Sequence, residues 1–195
     1  MSAPAFVYVV PARYEDILKL GFSHDPCDRV RSFHERYFEY FDLERGFILA
    51  ATDEKDARRI EQQFAAILTD HRARAPLVIK QAAGGFTEWY RGAHAQVVQA
   101  ATALVREGGY EPVMSLAERM RERLVAEREL LFEHSIALLD AIDAMGEDAE
   151  AAKLLRRLRA RLDAYTALRI EIREHLPDAA RVWLERHEAG DQASS

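Results

Sequence analysis

The hydrophobic pattern of the chain changes character at Pro112. Before this residue, short apolar segments rich in β-branched residues alternate with segments whose apolar residues recur at helical spacing. After it, leucine-spaced and highly charged sequence continues almost to the C-terminus. We therefore expect an α+β domain over residues 1–109, a helical unit over 110–190 and a loose tail at 191–195.

The first half contains three predicted strands separated by helices. The strands are residues 5–10, 17–22 and 46–51. Asp25 as N-cap and Pro26 at the first helical position begin a helix that we expect to continue to Tyr40. A second helix carries Ala57, Ile60, Phe64, Ile67 and Leu68 on one face, and a third covers residues 94–105. Residues 77–80 are expected to form a short strand, 84–85 a turn and 86–90 an extended segment.

Two apolar stripes in the second half predict an antiparallel helical hairpin or coiled coil. The first stripe consists of Leu116, Met120, Leu124, Leu131, Leu138 and Ile142. The second has near-heptad spacing and consists of Ala151, Leu155, Leu158, Leu162, Tyr165, Ile172 and Leu176. Pro177 should end this helix, and a short helix over 179–187 should follow.

Charge and cysteine content restrict the function classes. A net charge of -6 opposes a broad nucleic-acid-binding surface, because such surfaces depend on Lys and Arg. The first 95 residues are nearly neutral, with 13 Lys and Arg against 14 Asp and Glu, so a local basic groove remains compatible with this half. The single cysteine, Cys27, excludes an internal disulfide, and no Cys/His grouping has zinc-ligand spacing.

The N-terminal segment predicts neither secretion nor membrane insertion. Residues 1–10 lack a basic region, and their apolar run is broken by Pro11 and Arg13. We therefore expect a cytoplasmic protein with no membrane partner.

Glu61 is the first residue that indicates a site. It lies four residues after Ala57 and three before Phe64, which places its carboxylate within the apolar face of its helix. A buried carboxylate is costly unless it is paired or bound to a cation. The sequence leaves open a structural ion pair with Arg29 or Lys19, a position at the edge of the face, and a metal site.

The order of the elements that carry Tyr8, Lys19-Leu20-Gly21, Arg29 and Glu61 resembles the GIY-YIG nuclease superfamily. Phe6-Val7-Tyr8 aligns with the first motif and keeps its tyrosine but not its glycine. Lys19-Leu20-Gly21 aligns with the second motif, with lysine in place of the leading tyrosine. Glu88-Trp89-Tyr90 is similar to the closing Glu-Trp-Phe element of the phage and bacterial branch whose second motif reads Lys-Ile-Gly. The resemblance covers residues 5–95, and the asparagine that many members carry late in the domain is missing.

This resemblance implies a small three-stranded antiparallel sheet flanked by helices and a metal-dependent endonuclease that hydrolyses DNA. Glu61 would hold Mg²⁺ or Mn²⁺, and Arg29 would grip the scissile phosphate. Tyr8 would orient or deprotonate the attacking water, with Lys19 lowering the pKa of its hydroxyl. The structural alternatives are a core tyrosine, a snorkelling lysine and a solvated arginine.

Further candidates and a second function follow from the same segment. Gly21 belongs to the second motif, and Arg31, His34 and Tyr14 are candidates for contacting phosphate or moving a proton. Trp89 would either stack on a base or pack in the core. The alternative function is a catalytically inactive GIY-YIG-like module that acts as a protein-interaction or DNA-binding regulator through its C-terminal helices. These helices are also the candidate interface of a homodimer.

Overall fold

The structure is a computed structural model that describes residues 4–79, 87–145, 149–182 and 184–185. The chain divides into two compact units, Met1–Met120 and Arg121–Ser195. The domain boundary expected at residue 109 stays a prediction. Within the described ranges, no helix has the length and apolar character needed to cross a membrane.

The first unit contains one six-stranded antiparallel sheet, so the predicted three-stranded sheet is wrong, although the α+β class is correct. The strands are β1 (Ala5–Pro11), β2 (Ile17–Ser23), β3 (Phe47–Ala51), β4 (Arg72–Ala73), β5 (Trp89–Arg91) and β6 (Met114–Ser115). Their order is β4-β5-β2-β1-β3-β6. The three predicted strands form its centre, and the three additional strands have only two or three residues each.

Side-chain alternation divides the sheet into two buried faces. Val7, Val9 and Leu20 lie on the first face, in one apolar cluster with residues of the second and third predicted helices. On the opposite face, the Tyr8 ring lies 6.3 Å from the Phe33 ring, and the Trp89 ring lies 6.5 Å from the Phe41 ring. Since both faces are covered, β1 and β2 are almost completely buried.

The helix predicted over residues 26–40 is divided in two, α1 (Pro26–Phe33) and α2 (Tyr37–Tyr40). The N-terminal prediction is confirmed, because the Asp25 side chain accepts a hydrogen bond from the Asp28 N–H at 3.0 Å. His34 leaves the helix in an extended conformation, and its Nδ1 accepts a hydrogen bond from the Arg36 N–H at 3.1 Å. This local bond competes with helix continuation.

Two longer helices cover the first face of the sheet, α3 (Glu54–Ile67) and α4 (His94–Gly108). Asp53 caps α3 by accepting a hydrogen bond from the Asp56 N–H at 2.8 Å. Gly109 ends α4 in the left-handed conformation, with φ of 70°, which glycine adopts at little cost. Both predicted helices are therefore confirmed, and α4 extends three residues further than expected.

The short strand predicted over residues 77–80 is wrong for its described part. Residues 77–79 form a turn, in which the Ile79 N–H donates to the Pro76 carbonyl at 3.1 Å. Ile79 is buried, while the Leu77 side chain is fully exposed. Lys80, the predicted turn at 84–85 and Phe86 lie outside the described residues.

The remaining helices are α5 (Leu116–Glu127), α6 (Leu131–Met145) and α7 (Ala149–Ala167), of which α6 packs against α7. The second stripe does not stay helical to Leu176, because α7 ends at Ala167. Arg169 is left-handed with φ of 58°, and the Ile170 N–H donates to the Tyr165 carbonyl at 2.9 Å, which closes the helix. Residues 178–182 and 184–185 are helical, and the predicted tail at 191–195 lies outside the described residues.

Candidate active site

Tyr8 and Gly21 form the centre of the candidate site. They are directly opposite each other in the β1–β2 pair, and the Tyr8 side chain lies across the Gly21 backbone. A Cβ atom on Gly21 would lie 2.3 Å from the Tyr8 hydroxyl oxygen and 2.6 Å from Cζ. The tyrosine therefore requires glycine at the opposite position, because any side chain there would overlap the ring.

Arg29 reaches this tyrosine from α1. Its guanidinium forms a hydrogen bond with the Tyr8 hydroxyl, and its Cζ lies 4.9 Å from the centre of the Phe33 ring. The N-terminal cap at Asp25 and Pro26 at the start of the helix fix where α1 begins. The structure thus brings Tyr8, Gly21 and Arg29 together from three separate elements.

Burial controls the ionisation of Tyr8. The side chain is 1% exposed, and this burial raises the pKa of Tyr8 to about 12, against the opposing effect of Arg29. The expectation that Lys19 lowers this pKa is wrong, because the Lys19 ammonium is bound by other groups. At neutral pH, Tyr8 is a neutral hydroxyl.

We predict that this pKa makes stability depend on pH in the alkaline range. The pKa of about 12 in the folded state exceeds the value of 10.0 expected for the unfolded chain. The stability contributed by neutral Tyr8 is therefore complete below pH 10 and is lost as the pH rises through 12, an effect of about 3 kcal/mol. Urea unfolding between pH 9 and 12 should show this loss in the wild type relative to Tyr8→Phe. Parallel stability curves for the two proteins would contradict the assignment.

Lys19 is a buried cation with a defined set of partners. The residue is 2% exposed, and its Nζ donates to the Leu20 carbonyl at 2.7 Å, the Thr87 carbonyl at 2.9 Å and Glu88 Oε2 at 3.0 Å. Burial lowers the pKa of Lys19, and the Glu88 charge opposes that shift. Lys19 is therefore part of a Lys19–Glu88 ion pair, which ties β2 to the segment before β5.

Glu88 has an unusual backbone conformation. Its φ of 59° lies in the left-handed region, which residues other than glycine adopt at a cost of roughly 1–3 kcal/mol. Burial raises the pKa of Glu88, but the Thr87 hydrogen bond and the Lys19 charge outweigh it, so the net shift is downward. The carboxylate is thus held ionised beside Lys19. Sequence reasoning missed Glu88 as a site residue, since its only signal was its place before Trp89-Tyr90.

Glu61 lies in α3, adjacent to the buried Ile60, and is itself half-buried. Burial raises the pKa of Glu61, the negative charge of Glu88 raises it further, and Lys19 opposes both. The Glu61 charge in turn raises the pKa of Tyr8 and of Lys19. The predicted carboxylate therefore lies in the same electrostatic environment as the tyrosine and the lysine.

A cleft of about 560 Å³ lies between α3 and the β4–β5 pair, and we call it the α3–β5 cleft. Its polar lining comprises Arg58, Glu61, Gln62, Arg72, Thr87 and Glu88. Arg58 pairs with Glu54 at 3.2 Å, and the charge of Arg72 lowers the pKa of Glu88. Neither arginine was expected as a site residue. Arg58 lies on the predicted helix α3, whereas the two-residue strand that carries Arg72 has no detectable pattern in the sequence.

The carboxylates of the α3–β5 cleft have the chemistry that a hard divalent cation requires. Two oxygen-donor groups, Glu61 and Glu88, line the same cleft. Burial raises the pKa of Glu61, and the negative charge of Glu88 raises it further, so the two carboxylates repel each other. A cation such as Mg²⁺ would relieve this repulsion and would complete its coordination with water or phosphate oxygens. Among the described residues, no group of three or more His, Cys, Asp or Glu side chains is arranged for metal binding.

The secondary candidates have other partners. Arg31 pairs with Asp28 at 3.2 Å, and the His34 ring stacks on Tyr40 at 5.3 Å. Tyr14 is 83% exposed on the β1–β2 connection. Trp89 is 1% exposed and stacks on Phe41, so the structure places it in the core rather than on a base-binding surface.

Comparison with protein-family models, curated proteins and solved structures gave no match. The GIY-YIG assignment therefore stays a prediction, carried by the residues of the site alone.

Proposed function

We propose that the protein is a metal-dependent endonuclease of the GIY-YIG type that hydrolyses phosphodiester bonds in DNA. The observation that carries this proposal is the electrostatic coupling of Tyr8, Lys19, Arg29 and Glu61, which lie on four different elements. Of the four, Glu61 lines the α3–β5 cleft. Arg29 and Glu61 each change the pKa of both Tyr8 and Lys19, and Lys19 in turn lowers the pKa of Glu61. Such groupings of perturbed ionisable residues beside a cleft are typical of catalytic sites.

Each residue would have a definite role in phosphodiester hydrolysis. The Arg29 guanidinium, always charged and forked, would bind the scissile phosphate and stabilise charge that develops in the transition state. The neutral Tyr8 hydroxyl would orient the attacking water rather than deprotonate it, because its pKa is about 12. Lys19 would position Glu88 at the cleft. Glu61, assisted by Glu88, would hold Mg²⁺ or Mn²⁺, and a bound metal supplies charge stabilisation at the leaving oxygen.

The proposal also includes a cytoplasmic location and a homodimer. A cytoplasmic protein acting on DNA fits the sequence features described above, and the exposed apolar side chains Val125, Phe132 and Ile136 of α5 and α6 are candidates for a homodimer contact. Phe132 and Ile136 are four residues apart and share one face of α6, while a 3-10 turn at Arg128–Leu130 separates them from Val125 on α5.

A second candidate function is a non-catalytic module of the same type. The 1% exposure of Tyr8 favours it, because a hydroxyl that cannot reach solvent cannot contact an attacking water without movement of its surroundings. In that case Lys19 and Glu88 would serve only to fix β5 against β2.

Cleavage assays separate the two functions. The purified wild type should nick supercoiled plasmid or cut branched DNA in Mg²⁺ or Mn²⁺ and should be inactive in EDTA. A parallel measurement of unfolding by circular dichroism establishes that the sample is folded. If the folded wild type cuts neither substrate with either metal, the nuclease proposal is wrong and the non-catalytic module is favoured.

A further inference from the structure

Positive charge in this acidic chain is concentrated on α7 and the turn that follows it. Residues 149–169 contain six Lys and Arg and two Asp and Glu, while the rest of the chain contains 21 and 31. This segment therefore carries a net charge of +4, and the remainder carries -10. Of the two parts, this segment is the one whose net charge attracts a polyanion.

Three of these cations share one exposed face of α7. Lys153, Arg156 and Arg157 are exposed, and their spacing of three and four residues places them on one side of the helix. Ala151 and Leu158, on the opposite side, are 4% and 1% exposed. We call Lys153, Arg156 and Arg157 the basic face.

The basic face has little local neutralisation. Lys153 pairs with Glu150 at 3.3 Å, but both side chains are about half exposed or more, and such surface pairs are weak. Arg156 and Arg157 have no ion pair with any other residue that the structure describes. Their charges are therefore available to a ligand.

The chemistry of the basic face favours phosphate over lipid or protein. In the described part of the chain, the exposed large apolar side chains of the second unit are Val125, Leu130, Phe132, Ile136 and Val182, and none of them lies on α7. A membrane-surface helix needs such side chains beside its cations, and a protein interface needs an apolar or aromatic anchor. Guanidinium groups, in contrast, match phosphate oxygens in both charge and geometry.

We propose that the basic face binds the sugar-phosphate backbone of duplex DNA. The inference rests on the proposed action on DNA, since it states how that substrate is held. From Lys153 to Arg157 the helix rises about 6 Å, a length over which a DNA duplex carries roughly three to four phosphate charges. The three cations of the basic face match this charge density.

A salt titration of DNA binding tests the proposal. The full chain carrying Glu61→Gln, in EDTA, is mixed with a labelled DNA duplex at several salt concentrations, so that no cleavage occurs. Adding Lys153→Gln, Arg156→Gln and Arg157→Gln should reduce the slope of log affinity against log salt by about 2.7 and weaken binding roughly 500-fold at 0.1 M salt. The control replaces Arg45, Lys55 and Arg106, three exposed cations of the first unit, with Gln and changes the net charge equally.

The outcomes separate this inference from the nuclease proposal. A smaller slope in the basic-face variant but not in the control supports it, whether or not the wild type cuts DNA. The inference is overturned if the basic-face variant and the control have equal salt slopes, or if the folded Glu61→Gln parent does not bind DNA. Both results would count against it even if the wild type cleaves DNA. Unchanged DNA binding with lost binding to phosphatidylserine vesicles or to polyglutamate also overturns it and assigns the face to that ligand.

Discussion

Glu61→Gln is expected to lower the rate of metal-dependent DNA cleavage roughly 1,000-fold, while the folded protein becomes no less stable. The amide lacks the negative charge that would hold the cation, so the charge stabilisation supplied by the metal is lost. The free energy of unfolding should stay the same or rise although the cleavage rate falls, because burial and the Glu88 charge raise the pKa of Glu61. Since that pKa lies above its value in the unfolded chain, the folded state at neutral pH carries the cost of an ionised, half-buried carboxylate, which glutamine removes.

Initial cleavage rates on supercoiled plasmid and urea unfolding at neutral pH measure the two effects. Glu107→Gln is the matched control, because it makes the same chemical change at an exposed carboxylate of α4, outside the α3–β5 cleft. The control should retain wild-type cleavage. Full activity in Glu61→Gln, with the fold intact, would remove Glu61 from the metal site.

Gly21→Ala is expected to destabilise the protein by about 1–3 kcal/mol and to reduce cleavage as well. The added methyl group would occupy space 2.3 Å from the Tyr8 hydroxyl oxygen. Tyr8 has little room to move, because it is 1% exposed and packs against Phe33. Either the β1–β2 pair separates or the tyrosine leaves the Arg29 guanidinium, and both changes disturb the candidate site.

A double-mutant cycle isolates this contact. In a Tyr8→Leu background the added methyl group would meet no aromatic ring, so Gly21→Ala should cost less there than in the wild type. Free energies of unfolding from urea titrations of the four proteins give the coupling energy. A coupling energy near zero would mean that the cost comes from the backbone and that the ring is not the obstacle.

The central part of the fold could be predicted because its sequence signals are long. β1 is a continuous apolar segment of seven residues, β2 is a seven-residue segment with four large apolar residues, and α3 carries a helical apolar face with an acidic N-cap. The shorter elements could not be predicted, since a strand of two residues such as β4 or β6 shows no periodicity. The end of α1 depends on the bond between the His34 ring and the Arg36 N–H, and the end of α7 depends on a left-handed arginine.

The candidate site, like the fold, could be predicted only in part. Tyr8, Arg29 and Glu61 could be proposed because each lies on a well-predicted element at a definite position. The part played by Glu88 could not, because it depends on a left-handed backbone and on pairing with Lys19 across the sheet. The ionisation of Tyr8 was predicted in the wrong direction, since the depth of its burial was not visible in the sequence.

The two outermost strands of the sheet limit how this protein can associate with other chains. β4 and β6 form its edges, and each is only two residues long. An edge of that length offers few unpaired backbone groups to an incoming strand, which is one way proteins prevent edge-to-edge aggregation. Self-association by adding a strand to β4 or β6 is therefore disfavoured.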